Sequence, residues 1–343
     1  MALLLVSVPL SMQPATAAAA TQNSKATKAK STSAKKKPQK VSRYGTTRNK
    51  PTPAQLRQEQ ERLLALSRLP HRVGPTEIVQ ATDLLQPLSL ESRAAVVMNA
   101  ETGEILYGKN LTRTMPIASI TKLMTAMVVL DARLPLDEEI TISQDDTDSL
   151  RHTSSRLAVG TTLTRGEAML LALMSSENRA AAALARTYPG GTAAAVAAMN
   201  RKATEIGMTN SHFADGSGLN GQNTASPTDL VRLVRSANTY SEIRHFSTTA
   251  EHAVIAGKKV LQYRNTNALV ANTDWDIAVS KTGFLNEAGK CLVMQAKVNS
   301  TPVVIVLMDS NGRYTRIGDA NRVKKWLESE MAAHGITLDA ASL

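Results

Sequence analysis

Between Arg93 and Tyr107 the apolar positions fall into two short runs, Ala94-Ala-Val-Val-Met98 and Ile105-Leu-Tyr107. The polar break Glu101-Thr-Gly103 between them predicts two strands joined by a turn. Past Pro116 the period changes: Ile120, Leu123, Met124, Met127 and Val128 recur at helical spacing and predict a largely apolar, central helix over 119–132. Residues 137–165 are polar and read as loop. Thr164 with Glu167 three residues later carries the capping-box signature. The helix it opens runs through Met174 and delivers Ser176-Glu-Asn178 at its end. Alanine-rich helices are predicted over 179–187 and 193–206, a Gly- and Asn-rich turn region over 212–224, and a helix opened by Ser226-Pro227 and running to about 237. In the last third the period falls to two. Residues 277–282, 291–298 and 303–308 read as strands, with Lys281 near a strand end, and 317–333 as a closing helix. Strands at both sequence ends around a helical middle predict an α/β (α+β) architecture, one antiparallel sheet flanked by helices with a helical subdomain.

The N-terminal quarter has a different composition. Ala2 to Leu10 is an apolar stretch followed by Ala15-Thr-Ala17 and further alanines, the pattern of a secretory signal, though no Lys or Arg precedes it. Residues 1–20 are therefore expected to direct export, to a periplasm. Of the 40 Lys and Arg residues, 11 lie within 21–58 without a single acid. The formal charge of +11 thus belongs to that segment, and the remainder is formally neutral. A stretch so rich in Lys, Ser, Thr and Gln cannot bury enough apolar surface to order itself, and reads as a solvated spacer or as a loose tether to an anionic wall or membrane surface. A helix over about 54–68 ends before Pro70. Residues 59–84 are expected to form a helical lead-in and 85–335 the main domain. Nucleic acid is not expected as a partner: aromatic content is 3%, and neither an aromatic-interleaved basic patch nor a zinc-finger spacing occurs.

Chemistry enters through three short strings in fixed order: Ser119-Ile-Thr-Lys122, Ser176-Glu-Asn178 and Lys281-Thr-Gly283. Each is weak alone, since Ser33 with Lys36 and Ser236-Ala-Asn238 match the first two by chance. Their context carries the argument: the first opens an apolar helix, the second closes another, and the third lies in a strand. Ser119 and Lys122 are three apart, so on a helix their side chains share a face. A serine hydroxyl is a poor nucleophile until a neighbouring base takes its proton. Lysine can be that base only if burial or a second cation lowers its pKa, and Lys281 is such a cation.

Longer strings extend the pattern. Pro116-Ile-Ala-Ser-Ile-Thr-Lys-Leu-Met-Thr-Ala-Met, Leu171-Ala-Leu-Met-Ser-Ser-Glu-Asn-Arg-Ala, Tyr188-Pro-Gly-Gly, and Lys281-Thr-Gly-Phe with Gly289-Lys-Cys-Leu-Val-Met resemble the low-molecular-mass penicillin-binding proteins, the serine D-alanyl-D-alanine peptidases. The resemblance spans roughly 85–330 and implies their DD-peptidase/β-lactamase-like fold. It implies that Ser119 attacks a D-alanyl carbonyl and Lys122 takes its proton, while Ser176 relays a proton to the leaving amine. Asn178 would hold the substrate amide, and Lys281 and Thr282 its carboxylate. The N–H groups of Ser119 and of Phe284, beside Gly283, would form the oxyanion hole. Peptidoglycan peptides are the implied substrates and β-lactams the implied inhibitors; no cofactor or metal is called for. Carboxypeptidase relatives carry Ser-Gly-Asn at the second string and often His after Lys-Thr-Gly. Glu177 and Phe284, with some sixty residues after Gly283, point instead to the endopeptidase branch.

Three alternatives stay open at this stage. A carboxypeptidase is the nearest. A class A β-lactamase needs a Glu-x-x-x-Asn block to activate the deacylating water, and no Glu beyond Asn178 has Asn four residues on. A non-catalytic wall-binding protein would use the basic segment alone. The six histidines include no pair at tight ligand spacing, and Asp145, Asp146 and Asp148 read as a solvated loop. His212 is expected to be a packed or hydrogen-bonded turn residue, and Cys291 a core thiol.

Overall fold

The computed structural model describes residues 88–256 and 259–334, the last four by backbone alone. The expectations for 1–20, 21–58 and 59–84 fall outside these residues.

The first two strand signals become β1 (Ala94–Asn99) and β2 (Ile105–Lys109). Asn99 closes the turn between them: its Oδ1 accepts the N–H groups of Glu101 and Thr102 at 2.9 and 3.2 Å. The apolar helix follows as α1 (Thr121–Asp131), buried from Thr121 to Val129, which is why its sequence is apolar on all sides. Then come α2 (Arg165–Met174), α3 (Asn178–Arg186), α4 (Gly191–Glu205) and α5 (Pro227–Ala237). The capping box forms as predicted: Thr164 Oγ1 accepts the Glu167 N–H, and the Glu167 carboxylate accepts the Thr164 N–H. Ser226 caps α5 in the same way through the Asp229 N–H.

Two regions depart from the expectation. The polar stretch 137–165 contains a short ladder, Glu139–Thr141 against Thr162–Thr164, in which only Ile140 and Leu163 are buried. Two buried residues leave too little apolar signal to read. Residues 238–275, unassigned above, form α6 (Ser241–Ser247) and a hairpin, β3 (Glu251–Ala256) with β4 (Lys259–Arg264). His212 pairs its backbone with Thr224, and the residue is exposed rather than packed.

The last third supplies β5 (Asp276–Leu285), β6 (Gly289–Val298), β7 (Thr301–Ser310) and α7 (Thr315–His334). With the first two strands they make a five-stranded antiparallel sheet in the order β2-β1-β7-β6-β5. The period of two sorts its residues. Val96 and Met98, Val293, and Val304 and Val306 face the helical core of α1, α2 and α5. Val97, Leu292, Met294, Ile305 and Leu307 pack under α7 against Ala320, Val323 and Trp326. Both faces are covered, so the central strands read as unbroken apolar runs despite being antiparallel. Cys291 is fully buried, and burial pushes its thiol up to about 11.

Asp319 pins α7 to the chain entering β1. Its buried carboxylate accepts from Ser92 Oγ at 2.5 Å and from the Ser92 and Glu91 N–H groups at 2.8 and 3.1 Å, and it meets Arg322. Burial alone would raise the Asp319 pKa, but these donors outweigh it and hold the value below the ordinary carboxylate range. A depressed folded-state pKa stabilises the fold above the unfolded value of about 3.9 and ceases to do so as pH falls through the folded value. Asp319→Ala should therefore cost about 2–3 kcal/mol of stability at pH 7, and the deficit against wild type should shrink below pH 3. Urea denaturation at both pH values measures this, and an equal deficit at each would contradict it.

Candidate active site

Ser119 sits in a 3-10 turn, Ala118–Ile120, just before α1 rather than in the helix's first α-turn. Ala118 takes φ 48°, a left-handed conformation uncommon for a residue with a Cβ. The tighter turn brings residues three apart almost into eclipse. Lys122 Nζ accordingly lies 2.7 Å from Ser119 Oγ, 2.8 Å from Asn178 Oδ1 and 2.5 Å from the Ser217 carbonyl. Lys122 is 1% exposed. Burial lowers its pKa to about 7, against the opposing pull of Asp215 and Glu177.

The Ser217 carbonyl is aimed by Asp215, whose carboxylate accepts the N–H groups of Ser217, Gly218 and Asn220 and the Ser217 hydroxyl. Gly218 has φ 83° and lies directly on the Ala118 carbonyl, where any Cβ would clash. A side chain there would push the nucleophile's turn away.

Helix α2 ends at Met174, as expected, so Ser176 lies in the connection to α3 and Asn178 opens α3. Ser176 takes φ 61°. Lys281 Nζ donates to Ser176 Oγ and to the Thr282 carbonyl, both at 2.9 Å. Lys281 is not at a strand end but in the middle of β5, and is 1% exposed. Burial first, then the charges of Lys122 and Arg316, push its pKa well below the usual lysine value. Thr282 Oγ1 donates to Thr266 Oγ1 at 2.6 Å.

Among the described residues β5 is one of the sheet's two edge strands. The Ser280 N–H donates to Ser247 Oγ, away from β6, and the backbone period of two turns the Thr282 and Phe284 N–H groups to the same open side. Gly283 lets this edge approach the nucleophile: a Cβ there would stand 2.8 Å from the Ile117 carbonyl and 3.3 Å from the Ser119 nitrogen. The Ser119 amide and the open edge of β5 are thus side by side. Phe284 projects outward, 54% exposed, with Lys290 Nζ 4.5 Å above its ring.

All eight residues singled out in the sequence, Ser119, Lys122, Ser176, Asn178, Lys281, Thr282, Gly283 and Phe284, meet at this junction of α1, α3 and β5. Asp215, Ser217, Thr153, Thr266 and Arg316 also shape it and were not singled out, because each acts through contacts far away in sequence; Glu177 was noted only as a mark of the endopeptidase branch. The acidic trio is not a shared solvated cluster. Asp146 is buried against Arg186, Asp148 folds its own loop through the N–H groups of Leu150, Arg151 and Thr153, and Asp145 is exposed. Chemically, a hydroxyl beside a near-neutral amine, a second hydroxyl–amine pair and a strand edge with free N–H groups suit acyl transfer through a covalent ester.

Comparison with known proteins agrees. The family model described as D-alanyl-D-alanine carboxypeptidase matches residues 80–312. A D-alanyl-D-alanine endopeptidase of Pseudomonas aeruginosa is 48% identical over 242 residues, 70% of this chain and 78% of the relative. One of Escherichia coli is 42% identical over 269 residues, 78% of this chain and 86% of the relative. The crystal structure of the Streptomyces K15 DD-transpeptidase superposes with a TM-score of 0.66 at 28% identity, covering 71% of this chain and 98% of the other.

Gly218→Ala should cost about 1–3 kcal/mol in denaturant unfolding, through the positive φ and the clash with Ala118. A crystal structure of the variant should show Ser119 Oγ withdrawn from Lys122 Nζ. Unchanged stability and an unchanged separation would contradict this account of the turn.

Proposed function

The chain belongs to the D-alanyl-D-alanine carboxypeptidase family of serine peptidases, and on that premise we propose that it works as a serine D-alanyl-D-alanine endopeptidase. It cleaves D-Ala-containing cross-links of peptidoglycan through an acyl-enzyme. Proteins of this family act on peptidoglycan peptides and bind β-lactams. The names of the relatives at 48% and 42% identity support the endopeptidase assignment. Relatives named D-alanyl-D-alanine carboxypeptidase, such as those of Streptomyces sp. and Bacillus subtilis, are 30% and 28% identical.

The observation that carries the chemistry is the 2.7 Å contact between Ser119 Oγ and the buried Lys122 amine, whose pKa of about 7 leaves much of it neutral at physiological pH. Neutral Lys122 takes the Ser119 proton as Oγ attacks the carbonyl carbon. Negative charge moves to the carbonyl oxygen, facing the N–H groups of Ser119 and Phe284; one such donor is typically worth about 2.7–4 kcal/mol of barrier. The proton that Lys122 took is handed on through Ser176, whose oxygen accepts from Lys281, to the departing amine; the carbon–nitrogen bond breaks, leaving the Ser119 ester and Lys122 neutral again. Asn178 holds the substrate amide, and Lys281 with Thr282 its carboxylate. Water, deprotonated by Lys122, then cleaves the ester and restores the hydroxyl. A β-lactam follows the same path, but its leaving nitrogen stays tethered to the acyl group and the ester persists.

The N-terminal segment adds location. Residues 1–20 have the composition of an export signal, and the 11 basic residues of 21–58 suit a loose tether to an anionic wall polymer or membrane surface in the periplasm.

Incubation with a defined cross-linked muropeptide dimer should give two monomers by mass spectrometry, and Ser119→Ala should give none. Loss only of a terminal D-Ala from the dimer would indicate a carboxypeptidase instead. The rate of penicillin acylation should rise through pH 7 as Lys122 loses its proton, and a rate flat from pH 5 to 9 would exclude Lys122 as the base. Deleting 21–58 should leave turnover of soluble dimers intact while weakening adsorption to isolated wall at low salt; adsorption independent of salt would remove the tether.

A further inference from the structure

The middle residue of the second string, Glu177, touches no reacting atom, yet it is 9% exposed and both its main chain and its side chain are engaged. Its N–H donates to the Leu171 carbonyl and its own carbonyl accepts the Ala181 N–H, so it bridges the end of α2 and the start of α3. Its Oε1 accepts the Ser155 hydroxyl at 2.6 Å and, more weakly, the Arg179 N–H at 3.4 Å. Ser155 belongs to the loop over 148–157. That loop is folded by Asp148 and fastened by Arg179 to the Leu157 carbonyl and by Arg156 to the Gln262 carbonyl.

Two consequences meet at the reacting groups. Thr153 Oγ1 in this loop donates to Asp148, which leaves its lone pairs to accept from Asn178 Nδ2 at 3.3 Å. That contact fixes the polarity of the Asn178 amide, so Oδ1 and not the NH2 group faces Lys122 Nζ. A flipped amide would set donor against donor. Ser176, next to Glu177 in the chain, is held at φ 61°, a backbone conformation that relaxes unless its neighbours are fixed.

We propose that Glu177 is a positioning residue for the acyl-transfer reaction: its carboxylate clamps the 148–157 loop to the α2–α3 connection, and through that clamp sets the amide of Asn178 and the hydroxyl of Ser176. The inference rests on the function proposed above. The charged and titratable groups facing Glu177 are Lys122, which it shares with Asp215, then Arg179 on α3, and Tyr263 on β4 beneath Arg156. Its charge also holds the Lys122 amine partly protonated against the effect of burial.

Three variants separate the clamp from the charge, read by stopped-flow penicillin acylation from pH 5 to 9 with melting temperatures alongside. Ser155→Ala removes the clamp and keeps the charge: kcat/KM should fall several-fold, with the midpoint of the acid limb unmoved. Glu177→Gln keeps an acceptor oxygen and removes the charge: the midpoint should move down by about half a unit or more, with a smaller plateau loss than in Glu177→Ala. Glu177→Ala removes both and should lose about ten- to a hundred-fold, mainly in the acylation rate constant rather than in penicillin binding. A wild-type acylation rate in Glu177→Ala, or an unmoved midpoint in Glu177→Gln together with unimpaired Ser155→Ala, overturns the proposal. If wild type itself takes up no penicillin, the proposed function fails rather than this inference.

Discussion

One constraint governs the molecule: an amine, Lys122, is kept out of water beside the hydroxyl it must deprotonate. A buried ammonium without a close carboxylate is costly, so the group gives up its proton and becomes a base near neutral pH. Asp215 and Glu177 are near enough to temper that loss without pairing directly with the amine. The partners that do touch Lys122 are oxygens of Ser119, Asn178 and Ser217, all neutral. A second buried amine, Lys281, repeats the arrangement on the other side of the site with Ser176. Burial first, and then the charge of Lys122, depress the Lys281 pKa, so this second amine does not sit there comfortably as a cation.

Keeping that amine buried requires three chain segments to crowd together, and the backbone shows where. Ala118 and Ser176 both adopt left-handed conformations. Gly218 and Gly283 leave out the side chains that would separate the nucleophile's turn from the 215–220 loop and from β5. The two-sided core beneath supplies the force. A sheet covered on both faces holds β5 rigid, and an apolar α1 sunk in the helical layer fixes the other wall.

The framework was legible because its signals are local. The capping box at Thr164 and Glu167, the apolar period of α1 and the alternation in β6 and β7 each declare themselves within a dozen residues. The site was legible because its residues cluster in three short strings of distinctive type. What escaped depends on distance along the chain. Asp215 matters through a loop that meets Lys122 only in the folded state. The hairpin β3–β4 has mixed, half-exposed strands with no clean alternation. The depth of Lys281 within its strand escaped because the groups it meets there, Ser176 by hydrogen bond and Lys122 and Arg316 by charge, are remote in sequence. The 3-10 turn at Ser119 escaped because helical spacing alone does not distinguish it from the first turn of α1.

The central claim is that about half of the Lys122 amine is already uncharged near pH 7 in the free protein. Selective 15N labelling of lysine side chains, with Lys122→Arg to assign the resonance, would follow its titration directly by NMR. The account predicts a midpoint about 7, more than three units below an exposed lysine. A midpoint near 10 would mean that the amine is an ordinary cation, and that Ser119 must lose its proton to some other group.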